Sequence, residues 1–107
     1  MQKEVQKEVQ KEVQKEVQTV ADALAEYIAV LADSLHKTSR TEDRPRYVEH
    51  LAEAAVLFSL VHRGAPRHVW EAKVHQEQRA FGLGFLSGLE GKAAESAFAA
   101  LAAVVLR

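Results

Sequence analysis

The chain has 107 residues, enough for one domain with a single modest core. Charged residues make up 27% and hydrophobic residues 48%, which is typical of a globular protein and excludes an extended disordered chain. The formal charge of −1 gives no overall attraction to nucleic acid or anionic lipid, and the absence of cysteine excludes disulfides, thiolate metal sites and a cysteine nucleophile. We expect a cytoplasmic protein without a membrane span, because the start is charged and the longest apolar run, 97–106, is much shorter than the about 20 residues that cross a bilayer.

The N-terminal segment is a tandem repeat. The unit Gln-Lys-Glu-Val occurs four times without a substitution from Gln2 to Val17. No Gly or Pro interrupts it, so we predict one helix that runs through the repeat to about Leu35. We assign residues 1–18 to a repeat extension of this helix and residues 19–107 to a helical domain. Two origins are compatible with the repeat: duplication of a short DNA unit, or an added extension.

The first helix acquires a packing face only after the repeat. Valines four residues apart drift by about 40° per copy around a helix, so the repeat alone forms a poor straight seam. Heptad spacing then predicts a packed face. Its members are Val17, Ala21, Leu24, Ile28, Leu31 and Leu35. Such a helix reaches about 50 Å and outgrows helices of about 20 residues. An isolated helix of this kind is marginal in water, so we expect the chain to associate with itself, as a dimer or larger, or with another helical protein.

A second helix follows a polar loop over residues 37–44. Pro45 fits its first turn, with Thr41 or Asp43 as the cap, and Gly64 fits its end. Apolar residues at helical spacing predict the packed face of this helix. They are Val48, Leu51, Ala55, Phe58 and His62, and the face is broadened by Ala52, Ala54, Leu57 and Val61.

Two further helices complete the predicted fold. Pro66 fits the start of the third helix, whose apolar stripe comprises Trp70, Val74, Phe81 and Phe85. Ser87 and Glu90 form a capping-box pattern that starts the fourth helix near Gly88. Its packed face comprises Ala94, Phe98, Leu101 and Val105. The sequence therefore predicts an all-α, four-helix bundle-like domain with an elongated N-terminal helix, which we expect to be oligomeric.

The favoured function is a non-catalytic intracellular assembly or protein-interaction module. No nucleophile–base pattern or nucleotide-binding motif is present in the sequence, so we assign no catalytic residue and expect no cofactor. The heptad faces of the first and fourth helices are the predicted interface. Its residues are Val17, Leu24, Ile28, Leu31, Leu35, Ala94, Phe98, Leu101 and Val105.

A metal-binding or ribonuclease-like bundle is the alternative. His68, Glu71 and His75 share one face of the third helix, and imidazole with carboxylate at this spacing can ligate a divalent metal. An arginine also precedes a histidine with four residues between Arg63 and His68, and with five between Arg44 and His50. Some all-helical ribonucleases use this type of spacing for an acid–base group and a phosphate-binding cation.

A nucleic-acid interface is a third, less favoured interpretation. The segment 62–79 is locally basic, and Arg63, Arg67 and Arg79 are its candidate phosphate contacts. It lacks the interleaved aromatic residues of single-strand binders, because Trp70 falls on the predicted apolar stripe.

Overall fold

The computed structural model describes residues 2–84 and 86–107, with side chains from Lys11 onward. Four helices and one short 3₁₀ turn account for most of this part of the chain. They are α1 (Gln2–Lys37), the 3₁₀ turn (Thr41–Asp43), α2 (Arg44–His62), α3 (Arg67–Gly82) and α4 (Gly88–Val105). The all-α prediction and the number of helices are confirmed, and the described residues contain no strand. None of the helices in the described part of the chain is long and apolar enough to cross a membrane.

α1 is the centre of the packing. It makes its most extensive contacts with α4 and α2, while α3 packs against α2 and α4. Large apolar side chains from all four helices form a single core. Among its most deeply buried members are Leu24, Tyr27, Leu31, Tyr47, Val74, Leu101 and Val105.

The repeat projects beyond the other helices. α1 has 36 residues, whereas α2, α3 and α4 have 19, 16 and 18. Arg67, at the start of α3, forms an ion pair with Glu16 and so marks the end of the packed region. The side chains of residues 11–16 are exposed, and the molecule is 59 Å long but about 20 Å wide. The predicted long first helix is therefore present, and the described side chains of its repeat from residue 11 to residue 16 lie outside the core.

The packed faces of α1 and α4 agree with the heptad pattern. In α4 the predicted residues Ala94, Phe98, Leu101 and Val105 are all buried. In α1 the face is rotated slightly from the predicted one. Leu24 and Leu31 are buried as expected, but the remaining buried positions are Val20, Tyr27 and Ser34 rather than Val17, Ala21, Ile28 and Leu35, which are half-buried.

α2 presents only part of its predicted broad face to the core. Ala54, Leu57 and Val61 are buried as expected, and Leu51 packs against the core. Val48, Phe58 and His62 are exposed, with 53% of Val48 and 41% of Phe58 accessible to solvent, so the prediction was wrong for this side of the helix. The core-facing residues are Tyr47, His50, Ala54, Leu57 and Val61. The physical reason is that α2 is apolar around most of its circumference, so the apolar pattern alone does not fix which side faces α1 and α3.

The positions of α3 and α4 agree with the sequence prediction, whereas the predicted capping box of α4 is not formed. Trp70 and Val74 are buried on the predicted α3 stripe, and Phe85 lies outside the described residues. Ser87 precedes α4 as predicted, but its side chain does not cap the helix. Its hydroxyl instead donates a hydrogen bond to the buried carboxylate of Asp43, 3.3 Å away. In place of the predicted capping box, this contact joins the 3₁₀ turn before α2 to the segment before α4.

Candidate functional site

The predicted interface residues lie inside the single chain. Six of the nine are buried in the core: Leu24, Leu31, Ala94, Phe98, Leu101 and Val105. The other three, Val17, Ile28 and Leu35, pack against its edge. A second chain could reach the six buried side chains only if α1 and α4 separated, because the two heptad faces pack against each other within one chain. Val17, Ile28 and Leu35 are half-buried and remain partly accessible.

Part of the exposed apolar surface lies on the side of α2 that faces away from the core. Leu83 and Leu89, at the connection between α3 and α4, are also exposed, at 66% and 82%. We define the outer face of α2 as the residues Val48, Ala52, Ala55, Val56 and Ser59. Val48 and Val56 are 53% and 44% exposed, and both alanines are exposed. Val48, Ala52, Ala55 and Ser59 follow the alternating steps of four and three that suit helix–helix packing. α2 thus has a heptad-spaced stripe on each of two sides.

A groove separates α2 from α3 on a neighbouring side. It has a volume of about 660 Å³, within the range of small-molecule sites, and is open to solvent. Carboxylates line much of it: Glu42, Glu49, Glu53 and Glu77. Glu53 forms an ion pair with Lys73 that joins α2 to α3. The lining also includes Arg46, His50, Pro45, Gln76, Ala80 and Leu83.

The floor of the groove is a buried polar cluster drawn from three helices. The Tyr27 hydroxyl on α1 donates a hydrogen bond to Oε2 of Glu77 on α3, at 3.2 Å. Nδ1 of His50 on α2 lies 2.8 Å from the same oxygen. Both His50 and Glu77 are only 8% exposed. The Phe81 ring, one turn after Glu77, stacks on the imidazole with ring centroids 4.5 Å apart and fixes its orientation.

Proton positions in this cluster follow from the burial of its members. Burial, together with the charge of Glu77 and the hydrogen bond to it, raises the pKa of the Tyr27 hydroxyl far above its ordinary value. Tyr27 therefore remains a donor. An ionised Glu77 can only accept, so the hydrogen between it and His50 belongs to Nδ1.

The histidines and glutamate of the predicted metal site do not form a cluster. Among the residues that the structure describes, no three His, Cys, Asp or Glu side chains lie close enough together to hold a metal ion. His68 and His75 are exposed on α3, and Nδ1 of His75 lies 2.9 Å from the side-chain oxygen of Gln78. Glu71 lies 3.9 Å from the guanidinium of Arg67. The metal site stays a prediction, without a ligand geometry to support it.

Two of the three arginines proposed to contact phosphate lie apart from each other. Arg67 is half-buried, and its guanidinium donates to the backbone oxygens of Val104 and Val105 and forms an ion pair with Glu16. It joins the start of α3 to α1 and α4, which is a structural role. Arg79 is twelve residues further along α3, about 18 Å away along the axis and about 120° around it. Arg63 is exposed after the end of α2, and the phosphate interface stays a prediction.

The buried cluster was missed by the sequence analysis, although one signal was available. Glu77 stands between Val74 and Phe81 on the otherwise apolar stripe of α3. A carboxylate at such a position needs hydrogen-bond donors from other helices. Tyr27 and His50 are those donors, but they are 50 and 27 residues away in the sequence, and no local pattern connects them.

Comparisons with known proteins identified no relative of this chain. The sequence matches no protein-family model. Neither the curated proteins nor the solved structures gave a match.

Proposed function

We propose that this chain is a non-catalytic helical assembly module, in which a bundle of four helices pairs with a second copy through the outer face of α2. The observation that carries the proposal is the exposed apolar stripe of that face. Its residues have the spacing of an interhelical seam, although they make no contribution to the core of their own chain. Its solvent-exposed side chains gain free energy when another apolar surface covers them.

The side chains of the outer face suit close packing of two helices. Ala52, Ala55 and Ser59 are small, which allows two helix backbones to approach each other. Val48 and Val56 supply the larger apolar groups that fill the space around them. A second copy presents the same surface, so a two-fold axis produces a self-complementary interface with the two α2 helices antiparallel.

Charge complementarity favours the same arrangement. Glu49 and Arg63 are two heptads apart and therefore lie on the same flank of the outer face. In an antiparallel pair centred on Val56, Glu49 faces Arg63 of the partner subunit, and the symmetric contact forms at the other end. Partly exposed pairs of this type contribute about 0.2–1 kcal/mol each and help to set the register.

α4 is the competing surface. It exposes alanines, such as Ala99, Ala100 and Ala103, and Leu89 in its first turn is 82% exposed, but α2 carries two exposed valines on one side. The projecting part of α1 is not needed for α2 pairing. In the antiparallel pair the two extensions point in opposite directions, where each could contact a further helical protein.

We infer a cytoplasmic location from the composition alone.

The test is the mass of the particle in solution. Sedimentation velocity of the purified chain across micromolar concentrations should show a dimer. Ala52→Glu places a charge on the outer face, one turn from Val56, and should give a monomer with an unchanged helical circular dichroism spectrum. Ala29→Glu, at an exposed position of α1, is the matched control and should stay dimeric.

Two results would contradict the proposal. A wild-type chain that is monomeric throughout this concentration range would remove the assembly function. A dimer that is disrupted by Ala100→Glu but not by Ala52→Glu would place the interface on α4 instead.

A further inference from the structure

A second cleft lies between α3 and α4. It has a volume of about 320 Å³, at the lower end of the range of small-molecule sites. It is present because α3 and α4 contact each other much less extensively than α1 contacts α4. The described residues around it belong to α3 and α4, so it is distinct from the outer face of α2. The lining of this α3–α4 cleft includes Phe81, Gly82, Glu95, Phe98, Ala99 and Ala102.

The floor of the α3–α4 cleft is aromatic. The rings of Phe81 and Phe98 stack with centroids 4.8 Å apart and an interplanar angle of 20°. The Tyr27 ring lies behind them, with its centroid 5.6 Å from that of Phe98. Phe81 is half-buried, so this stack can be reached from solvent through the cleft. Aromatic rings favour offset-stacked or edge-to-face contacts with one another, and such a floor therefore favours a planar aromatic ligand over a saturated one.

The walls leave room for a ring because their side chains are small. Gly82 forms part of the wall on α3, and Ala99 and Ala102 form the wall on α4. A Cβ atom added at Gly82 would meet no neighbouring atom within 4 Å, which shows that the space beside it is open. An apolar cavity of about 150 Å³ holds one benzene molecule, so a cleft of this volume accommodates two fused rings.

The rim of the cleft offers a hydrogen-bond acceptor. Glu95 is exposed there, and its carboxylate has no hydrogen bond or ion pair with any residue that the structure describes. Gln78, on the α3 side of the rim, is already engaged, because its side-chain oxygen lies 2.9 Å from Nδ1 of His75. A ligand with an N–H group at the edge of its ring can lie on the aromatic floor and donate to Glu95.

We propose that the α3–α4 cleft binds a small planar aromatic molecule with an N–H donor at its edge, of the indole class. The ring lies against Phe81 and Phe98, between Gly82 and Ala99, and the N–H group donates to Glu95. The ligand contacts both helices and so holds α3 against α4. This binding is independent of α2 pairing.

The experiment is a titration of the ¹³C- and ¹⁵N-labelled chain followed by methyl and amide chemical shifts. The probes are indole, benzofuran, which has the same ring shape without an N–H group, and cyclohexanol, which has a donor but no planar ring. Indole should bind saturably and shift the methyl signals of Ala99 and Ala102, because these methyl groups lie beside the bound ring. Benzofuran should bind about fivefold more weakly, since it cannot donate to Glu95, and cyclohexanol should not bind measurably.

Variants test the two parts of the site separately. Ala99→Phe fills the cleft from an exposed position and should abolish indole binding, whereas Ala100→Phe, the same change at the next exposed residue, should not affect it. Glu95→Ala should lower the affinity for indole about fivefold, to the level of benzofuran, and should leave benzofuran binding unchanged. Glu26→Ala, at an exposed position of α1, is the control for the loss of a carboxylate.

Several outcomes would overturn the proposal. These are the absence of saturable shifts at Ala99 and Ala102, unchanged indole binding by folded Ala99→Phe, or equal loss with Ala99→Phe and Ala100→Phe. Equal affinities of the wild-type chain for indole and benzofuran would also overturn it, since the N–H group would then make no contribution. If Ala99→Phe does not fold, Glu95→Ala, a change at an exposed position, decides.

Discussion

The two sides of α2 have similar residue spacing but different partners. The inner side, Tyr47, His50, Ala54, Leu57 and Val61, is buried against the rest of the chain. The outer side, Val48, Ala52, Ala55, Val56 and Ser59, is largely exposed. The inner side carries larger residues and two polar groups, and the outer side carries mainly small apolar ones. Apolar spacing therefore indicates that a helix can pack. Side-chain volume and polar partners determine which of its sides packs inside the chain.

The polar residues of the inner side, His50 and Tyr47, show how partners and volume determine which side of α2 is buried. His50 faces inward because Glu77 on α3 requires a donor, and the 2.8 Å contact supplies it. Tyr47 is also fully buried, and its hydroxyl has no partner at good hydrogen-bond geometry among the described residues, although the Ser34 side chain lies close enough to oppose the rise in its pKa. Burial raises the pKa of Tyr47, with the charges of Asp43 and Glu90 as further causes. Its ring is therefore kept inside for its volume, despite the cost of burying the hydroxyl.

The largest expected difference between the two sides is in core stability. Leu57→Ala removes a side chain that is 4% exposed and should lower the free energy of unfolding by about 2–5 kcal/mol. The neighbouring change Val56→Ala, on the outer face, should alter it by less than about 1 kcal/mol in the monomer, because alanine favours helix and no cavity forms. Urea denaturation at a concentration that keeps the chain monomeric measures both. Equal effects would mean that the two sides are not distinguished by burial.

The histidines of α2 provide a second, somewhat smaller contrast. His50→Leu removes the Nδ1 donor from the buried Glu77 and should destabilise the protein by about 2–3 kcal/mol near neutral pH. His62→Leu changes an exposed ring that stacks on Phe58 and should stay within about 1 kcal/mol of wild type. Thermal and urea unfolding of the two variants under the same conditions compare them. A harmless His50→Leu would show that the buried cluster does not contribute to stability.

These contrasts also show how much the sequence could predict. The helices were predictable because their caps, breakers and apolar spacing are local, and the α4 face was predictable because its apolar and polar sides differ. The α2 face was not, since its apolar residues surround the helix and the choice depends on α1 and α3. The buried cluster required contacts between Tyr27, His50 and Glu77 across three helices, and only the position of Glu77 on an apolar stripe indicated it.

A smaller effect concerns the charges at the edges of the outer face. Glu49→Arg turns two symmetric attractions across the proposed interface into repulsions and should raise the dimer dissociation constant about tenfold. Arg63→Glu should do the same, and the double exchange should restore most of the affinity. Glu26→Arg on α1 is the control with the same change of charge. Sedimentation at low salt measures all four, and additive loss in the double variant would contradict the antiparallel register.

The most direct test of α2 pairing uses the absence of cysteine from the sequence. Val56→Cys places one thiol at the centre of the outer face, where the two-fold axis brings it next to the same residue of the second copy. Mild oxidation should convert most of this variant to a disulfide-linked dimer, measured by mass spectrometry under non-reducing conditions, whereas Ala29→Cys on α1 should remain largely monomeric. If Val56→Cys cross-links no faster than Ala29→Cys, the outer face of α2 is not the assembly surface.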